Sequence, residues 1–256
     1  MLQSAAGRLL DAGLQAMPAS PSHLVPPSLG ILFRRKIMTF TAPDSVSEQI
    51  ARHIAERIIH GQLKERERIQ EIKVVKALNV SRGSVREALL ILERRHMVDI
   101  LPRRGAQVCE LTPHHVKSLY ALVTELYILL SDAVADRWRR PEELQPFVEV
   151  QQRLMRGMQH EDADVFIEAS MEAVAATFPF ADNPYLQSVV ENLQPAIART
   201  YHLAINGHPE EMKEMMNAYG HLFQAVIDRN PPRIREVVAR YCQHNCQMVL
   251  AALARR

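Results

Sequence analysis

Two apolar helical periods meet across a gap of three residues, and that spacing constrains the chain more than any other feature. Gln70 to Leu78 reads as a short helix in which Ile72, Val74, Val75 and Leu78 can face inward. Val85, Ala88, Leu89 and Leu92 recur at the spacing of a second helix. Between them, Asn79 falls where a tight turn needs a left-handed residue, a conformation asparagine tolerates better than most side chains. Ser81 then offers a hydroxyl to an otherwise orphaned N–H of the next first turn. The pattern predicts a helix-turn-helix.

Arg82, Ser84 and Arg86 sit in the first turn and a half of the second helix, with Gly83 between them. In a helix-turn-helix that segment enters the DNA major groove. Arginine can bond guanine bidentately, and serine together with a helix N-terminus suits phosphate oxygens. Upstream, Val46, Ile50, Ile54 and Ile58 repeat every four residues, as expected of a supporting amphipathic helix. Downstream, Val98–Leu101 and Ala106–Cys109 read as two short strands around Pro102-Arg103-Arg104-Gly105, a basic wing. Arginines on such a turn can follow the DNA backbone or enter the minor groove. The DNA-contacting set is therefore Ser81, Arg82, Gly83, Ser84, Arg86, Arg103, Arg104 and Gly105.

On "NVSRGSVREALLILERRHMV" followed by "LPRRGAQV", residues 44–112 resemble the winged helix-turn-helix of the GntR family of bacterial transcription regulators. The family's usual Pro-Gly before the second helix is replaced by Lys64-Glu65-Arg66-Glu67-Arg68, and His96 stands where glycine is usual.

Charge is distributed unevenly. Residues 44–112 carry 13 Lys and Arg against 10 Asp and Glu, whereas 113–256 carry 14 against 18. A basic front and an acidic rear fit a DNA-binding head on a sensor body. Cys109, Cys242 and Cys246 form neither an even disulfide framework nor a CxxC zinc spacing. No run approaches the length of a membrane-spanning helix, so a cytoplasmic regulator with no membrane partner is expected. Residues 1–43 lack periodicity and are expected to be a disordered extension, with Met38 as the true start.

The rear, 113–256, reads as an all-α bundle of six helices, giving a mainly α chain overall. Thr112-Pro113 makes a cap with proline in the first turn. Val116, Leu119, Val123, Leu126, Leu130 and Val134 then repeat with helical period. Further runs cover about 142–158, 161–178, 184–205, 208–229 and 232–255, broken at proline- and asparagine-rich points. On "ADNPYLQSVVENL" and "GHLFQAVIDRNPPRIREVVARYCQHN" this part resembles the FCD effector-binding domain of the FadR subfamily, and the six-helix count leans to its VanR-like branch.

That resemblance implies a small-molecule effector, a homodimer and one divalent metal ion (Zn, Ni, Mn or Fe). The family's ligand pattern is an Asp and a His on one helix plus two later histidines, which maps onto Glu168, Glu172, His221 and His244. Antiparallel packing of the last two helices would bring the two histidines to similar heights. The family's effector-binding arginine aligns with Val123, so the polar pocket candidates are Arg199, Tyr201, Asn217 and Tyr219. The expected function is a transcription regulator, a repressor by family habit, binding a double-stranded operator under metabolite control. Two alternatives stand beside it: a metal-dependent enzyme, or a ligand-binding module whose head no longer binds DNA.

Overall fold

Six helix starts are set by side chains that cap them. In the computed structural model, which describes residues 45–206 and 208–255, Ser45 caps α1 (Val46–Ile59) and Ser81 caps α3 (Arg82–Arg94). Thr112 caps α4 (Pro113–Arg137), and Asp162 caps α6 (Ala163–Ala175). Asn183 caps α8 (Pro184–Ile205), and Asn230 caps α10 (Pro231–Ala254). Each cap oxygen accepts a first-turn N–H that has no partner within its helix. Proline opens α4, α8 and α10, where its missing N–H costs nothing. The expected extension 1–43 and its start at Met38 lie outside the described residues.

The head is a helix-turn-helix with a three-stranded wing. The first helix of the pair, α2 (Glu71–Leu78), ends on Asn79 in the left-handed conformation, φ 53° and ψ 48°, as its position in the sequence predicts. Strand β1 (Arg68–Ile69) pairs with β3 (Gly105–Val108), which pairs in turn with β2 (Val98–Leu101). The sheet is antiparallel, with Ile69 opposite Ala106 and Val98 opposite Val108. β1 was not anticipated, because two residues carry no alternation to read. Ile72 and Val46 were expected inward and are instead 55% and 52% exposed. The buried face of α1 is Ile50, Ala51, Ile54, Ala55 and Ile58, packed against Val85, Ala88, Leu89 and Leu92 of α3.

Behind the head, α4, α5 (Gln145–Gln159), α6, α8, α9 (Glu210–Ile227) and α10 form the predicted six-helix bundle. The helix expected over about 161–178 ends at Ala175, and one four-residue turn, α7 (Phe178–Ala181), follows it before α8. Among the described helices α4 alone is long and apolar enough to cross a membrane, with a mean hydropathy of 1.4 over its best window, which corrects the expectation that no run comes close. Its apolar residues Val116, Tyr120, Val123, Ile128 and Val134 are buried in the bundle core. Where α5 crosses α6, Gly157 lets the backbones touch: a Cβ there would stand 2.9 Å from the Phe166 amide nitrogen.

Helix α8 joins the two halves. Ala196, in its middle, is buried within the head's own core beside α1 and α3 residues. Three residues on, Arg199 is 8% exposed and donates to the Cys109 carbonyl at 2.9 Å and to Glu65 at 3.1 Å.

Candidate DNA-binding face and ligand cavity

The recognition segment is built by its cap. The Ser81 hydroxyl accepts from the Ser84 amide at 3.0 Å and lies 2.9 Å from the Ser84 hydroxyl, so both serines are committed to starting α3. Arg82 and Arg86, one turn apart, leave 58% and 63% of their side chains exposed. Both lean on Glu71 of α2, at 3.7 and 3.1 Å. Exposed pairs of this kind contribute at most about 1 kcal/mol, so a phosphate or a guanine edge can compete for either guanidinium.

Gly83 has no packing reason to be glycine. A Cβ built on it meets only the Ser81 Oγ, at 3.6 Å, and its φ lies outside the left-handed region. In the wing, Arg103 and Gly105 hold φ of 63° and 80°, and the Arg104 amide closes the turn on the Leu101 carbonyl at 3.0 Å. Arg103 and Arg104 are exposed. The Arg68 guanidinium of β1 lies 3.8 Å from where a Gly105 Cβ would stand, adding a third cation beside the wing. The signal that could have found it is Ile69, a lone buried apolar residue between polar neighbours.

Inside the bundle lies a cavity of about 120 Å³. Phe147, Leu154, Phe166, Met215, Phe223 and Val238 supply much of its wall, with Tyr127, Tyr201, Tyr219 and Tyr241 as the polar tips. Among the described residues that line it, none is charged. The Tyr241 hydroxyl donates to that of Tyr201 at 2.7 Å, and the Tyr219 hydroxyl donates to the Phe147 carbonyl at 2.8 Å. The buried Tyr127 hydroxyl faces Tyr201 without an ordinary hydrogen bond. Burial raises the pKa of all four phenols, so they stay protonated at neutral pH.

Of the four expected pocket residues, Tyr201 and Tyr219 line this cavity. Arg199 faces the head, and Asn217 is exposed outside the cavity. The reason is geometric. Arg199 and Tyr201, like Asn217 and Tyr219, are two residues apart, about 200° around a helix, so one member of each pair must point away.

Residues 46–108 match the family model described as bacterial regulatory proteins, gntR family, and residues 125–244 match the FCD domain. The chain belongs to the GntR family. It is a transcription regulator of the GntR type with an FCD domain. It is 24% identical over 203 residues to an uncharacterised HTH-type transcriptional regulator, YdhC, of Bacillus subtilis, covering 78% of this chain and 88% of that one. It is 27% identical over 157 residues to the gluconate operon transcriptional repressor of the same organism, covering 60% and 62%. Among solved structures, E. coli McbR/YncC shares the fold with a TM-score of 0.70 at 20% identity, covering 81% of this chain and 98% of that one.

The two departures from the GntR pattern are absorbed by backbone. His96 and Arg66 adopt left-handed φ of 56° and 61°, the conformation that glycine would take without strain.

The four residues expected to hold a family-type metal are not brought together, and the expectation is corrected. Glu168 and Glu172, on one face of α6, both pair with Arg153 of α5. His244 pairs with Glu211 at 2.6 Å, and Glu211 lies ten residues before the exposed His221, about 15 Å along α9. The register of α9 against α10 thus separates the histidines, and the donors present do not fit one ion. The metal-enzyme alternative relied on the same four residues and loses its geometry with them.

Proposed function

We propose that the head reads an operator with Arg82 and Arg86 in the major groove, while Arg103, Arg104 and Arg68 hold the adjacent backbone. Ser81, Ser84, Gly83 and Gly105 act by shaping the two contact points and letting phosphates approach them. The observation that carries this reading is the start of α3: capped, exposed, doubly basic, and containing a glycine that packing does not require. The protein would act in the bacterial cytoplasm as a repressor. The test is a gel shift with the DNA upstream of its own gene. Arg82→Ala with Arg86→Ala should abolish the shift, and a retained shift would sink the assignment.

The bundle cavity is the effector site in this reading. Its wall is aromatic and aliphatic with neutral hydroxyls, which suits a small, largely apolar, uncharged ligand with one or two hydrogen-bonding groups. Tyr201 touches that ligand and Arg199 touches the head, so α8 carries a change from one to the other. Two copies would pair through the exposed apolar residues Leu122 and Leu129 of α4 and Tyr185 and Val189 of α8, matching a roughly palindromic operator. Mass spectrometry of small molecules released from the purified protein tests the ligand class. A tightly held anion would contradict it. Light scattering of Leu129→Glu tests the pairing, which predicts a monomer.

A further inference from the structure

His60 closes α1 in the head, Asp164 lies in the first turn of α6, and His202 lies near the end of α8. Their side chains converge: one ligand atom from each lies within 4.8 Å of the others. His60 Nε2 is 3.0 Å from Asp164 Oδ1, and His202 Nε2 is 3.9 Å from the same oxygen. The two imidazoles meet edge to face, with centroids 5.0 Å apart.

The hydrogen bonding of His60 fixes its ring so that Nε2 points at the Asp164 carboxylate. Its Nδ1 stands 2.7 Å from the Glu56 carbonyl oxygen, which can only accept, so Nδ1 carries a proton. On the neutral ring Nε2 is then a lone pair aimed at a carboxylate oxygen, and two acceptors at that distance need a positive charge between them, either a second ring proton or a metal ion that takes its place. A backbone carbonyl on the far nitrogen is also the outer partner that orients imidazole ligands toward metals.

We propose that His60, Asp164 and His202 bind one first-row divalent cation of the zinc type, pinning the DNA-binding head to the helical bundle. Two imidazoles and a carboxylate are a donor set that suits Zn²⁺, and bonds of about 2.0–2.2 Å require ligand atoms a little over 3 Å apart. The 3.0 Å pair is close to that spacing, and His202 needs to close on the Asp164 oxygen by less than about 1 Å. A fourth position stays open to water, because Asp164 and His60 are exposed and both histidines line a polar cavity of about 360 Å³ between head and bundle. The ligands come from both halves of the molecule, so occupancy restrains the end of α1 relative to α8. This site shares no residue with the effector cavity or with the DNA-contacting set.

The full chain, stripped with EDTA and dialysed, is titrated with ZnCl₂ by calorimetry and with CoCl₂ by visible absorption, with MgCl₂ as control. One equivalent of Zn²⁺ and an intense tetrahedral Co²⁺ spectrum are expected, with no response to Mg²⁺. His60→Ala, Asp164→Asn and His202→Ala should each weaken Zn²⁺ by more than the ~10–100-fold that loss of an outer partner costs. His221→Ala together with His244→Ala should leave it unchanged. Hydrogen exchange across residues 57–63 should slow on adding Zn²⁺ to wild type and not to His60→Gln, which serves if an alanine variant misfolds. Absence of one-equivalent binding, or binding that survives both His60→Ala and His202→Ala, overturns the proposal.

Discussion

Replacing Gly83 by alanine should strengthen the fold and weaken DNA binding, and the opposite signs make the experiment decisive. A Cβ at this position meets one atom, the Ser81 Oγ at 3.6 Å, an ordinary contact that displaces nothing. Glycine inside a helix costs up to about 1 kcal/mol relative to alanine, and less near an exposed end, so a gain of about 0.5 kcal/mol is expected. For a body of this size that raises the thermal midpoint by ~1–2 °C. On DNA the added methyl stands over the amides at the start of α3. Losing one charge-assisted hydrogen bond to phosphate costs about 1.5–3 kcal/mol, or ~10–100-fold in affinity. Fluorescence anisotropy with a labelled duplex from the upstream region reads the affinity, and differential scanning calorimetry reads the midpoint. A lowered midpoint would mean that packing does need the glycine. Unchanged affinity would remove Gly83 from the interface and refute the reasoning.

Three further outcomes follow from the geometry. Arg82→Ala with Arg86→Ala should flatten the dependence of log affinity on log salt by up to ~2 where both side chains meet phosphate, measured on non-specific duplex so that residual binding remains visible. Gly157→Ala drives a methyl to 2.9 Å from the Phe166 backbone nitrogen and should destabilise the α5–α6 contact by about 1–3 kcal/mol, and an unshifted denaturant midpoint would contradict that contact. Burial of Cys242, and partial burial of Cys109 beside the Asp99 carboxylate, push both thiols up to about 12, so at pH 8 a disulfide reagent should label them slowly in the native protein and fast in denaturant; rapid native labelling of both would contradict these surroundings.

The head was legible because its signals are local. A cap serine, a left-handed asparagine and an apolar period each act within a few residues, and Ser81, Asn79 and Val85 sit where those rules put them. The same rules did not find β1, whose existence depends on its pairing with β3, far along the chain. In the bundle, periodicity located the helices and failed to say which face of each meets the cavity. Arg199, Tyr201, Asn217 and Tyr219 are all polar groups amid bundle helices, but helix geometry sends residues two apart to opposite faces. The histidine pair failed for a related reason: helix lengths from a shared turn do not fix the register in which α9 and α10 slide together. His60, Asp164 and His202 each belong to a different element, and nothing in the spacing of 60, 164 and 202 announces that they meet.

Ala196 is a bundle residue by sequence and a head residue by burial, and this has a thermodynamic meaning. A cut after Leu111 would strip the head of part of its apolar wall and of the Arg199 guanidinium that satisfies the Cys109 carbonyl. The isolated head should therefore be less stable than the same residues in the whole chain, and heating the whole chain should melt both halves in one transition. Anything that stiffens α8 would raise the melting point of a DNA-binding domain it never touches.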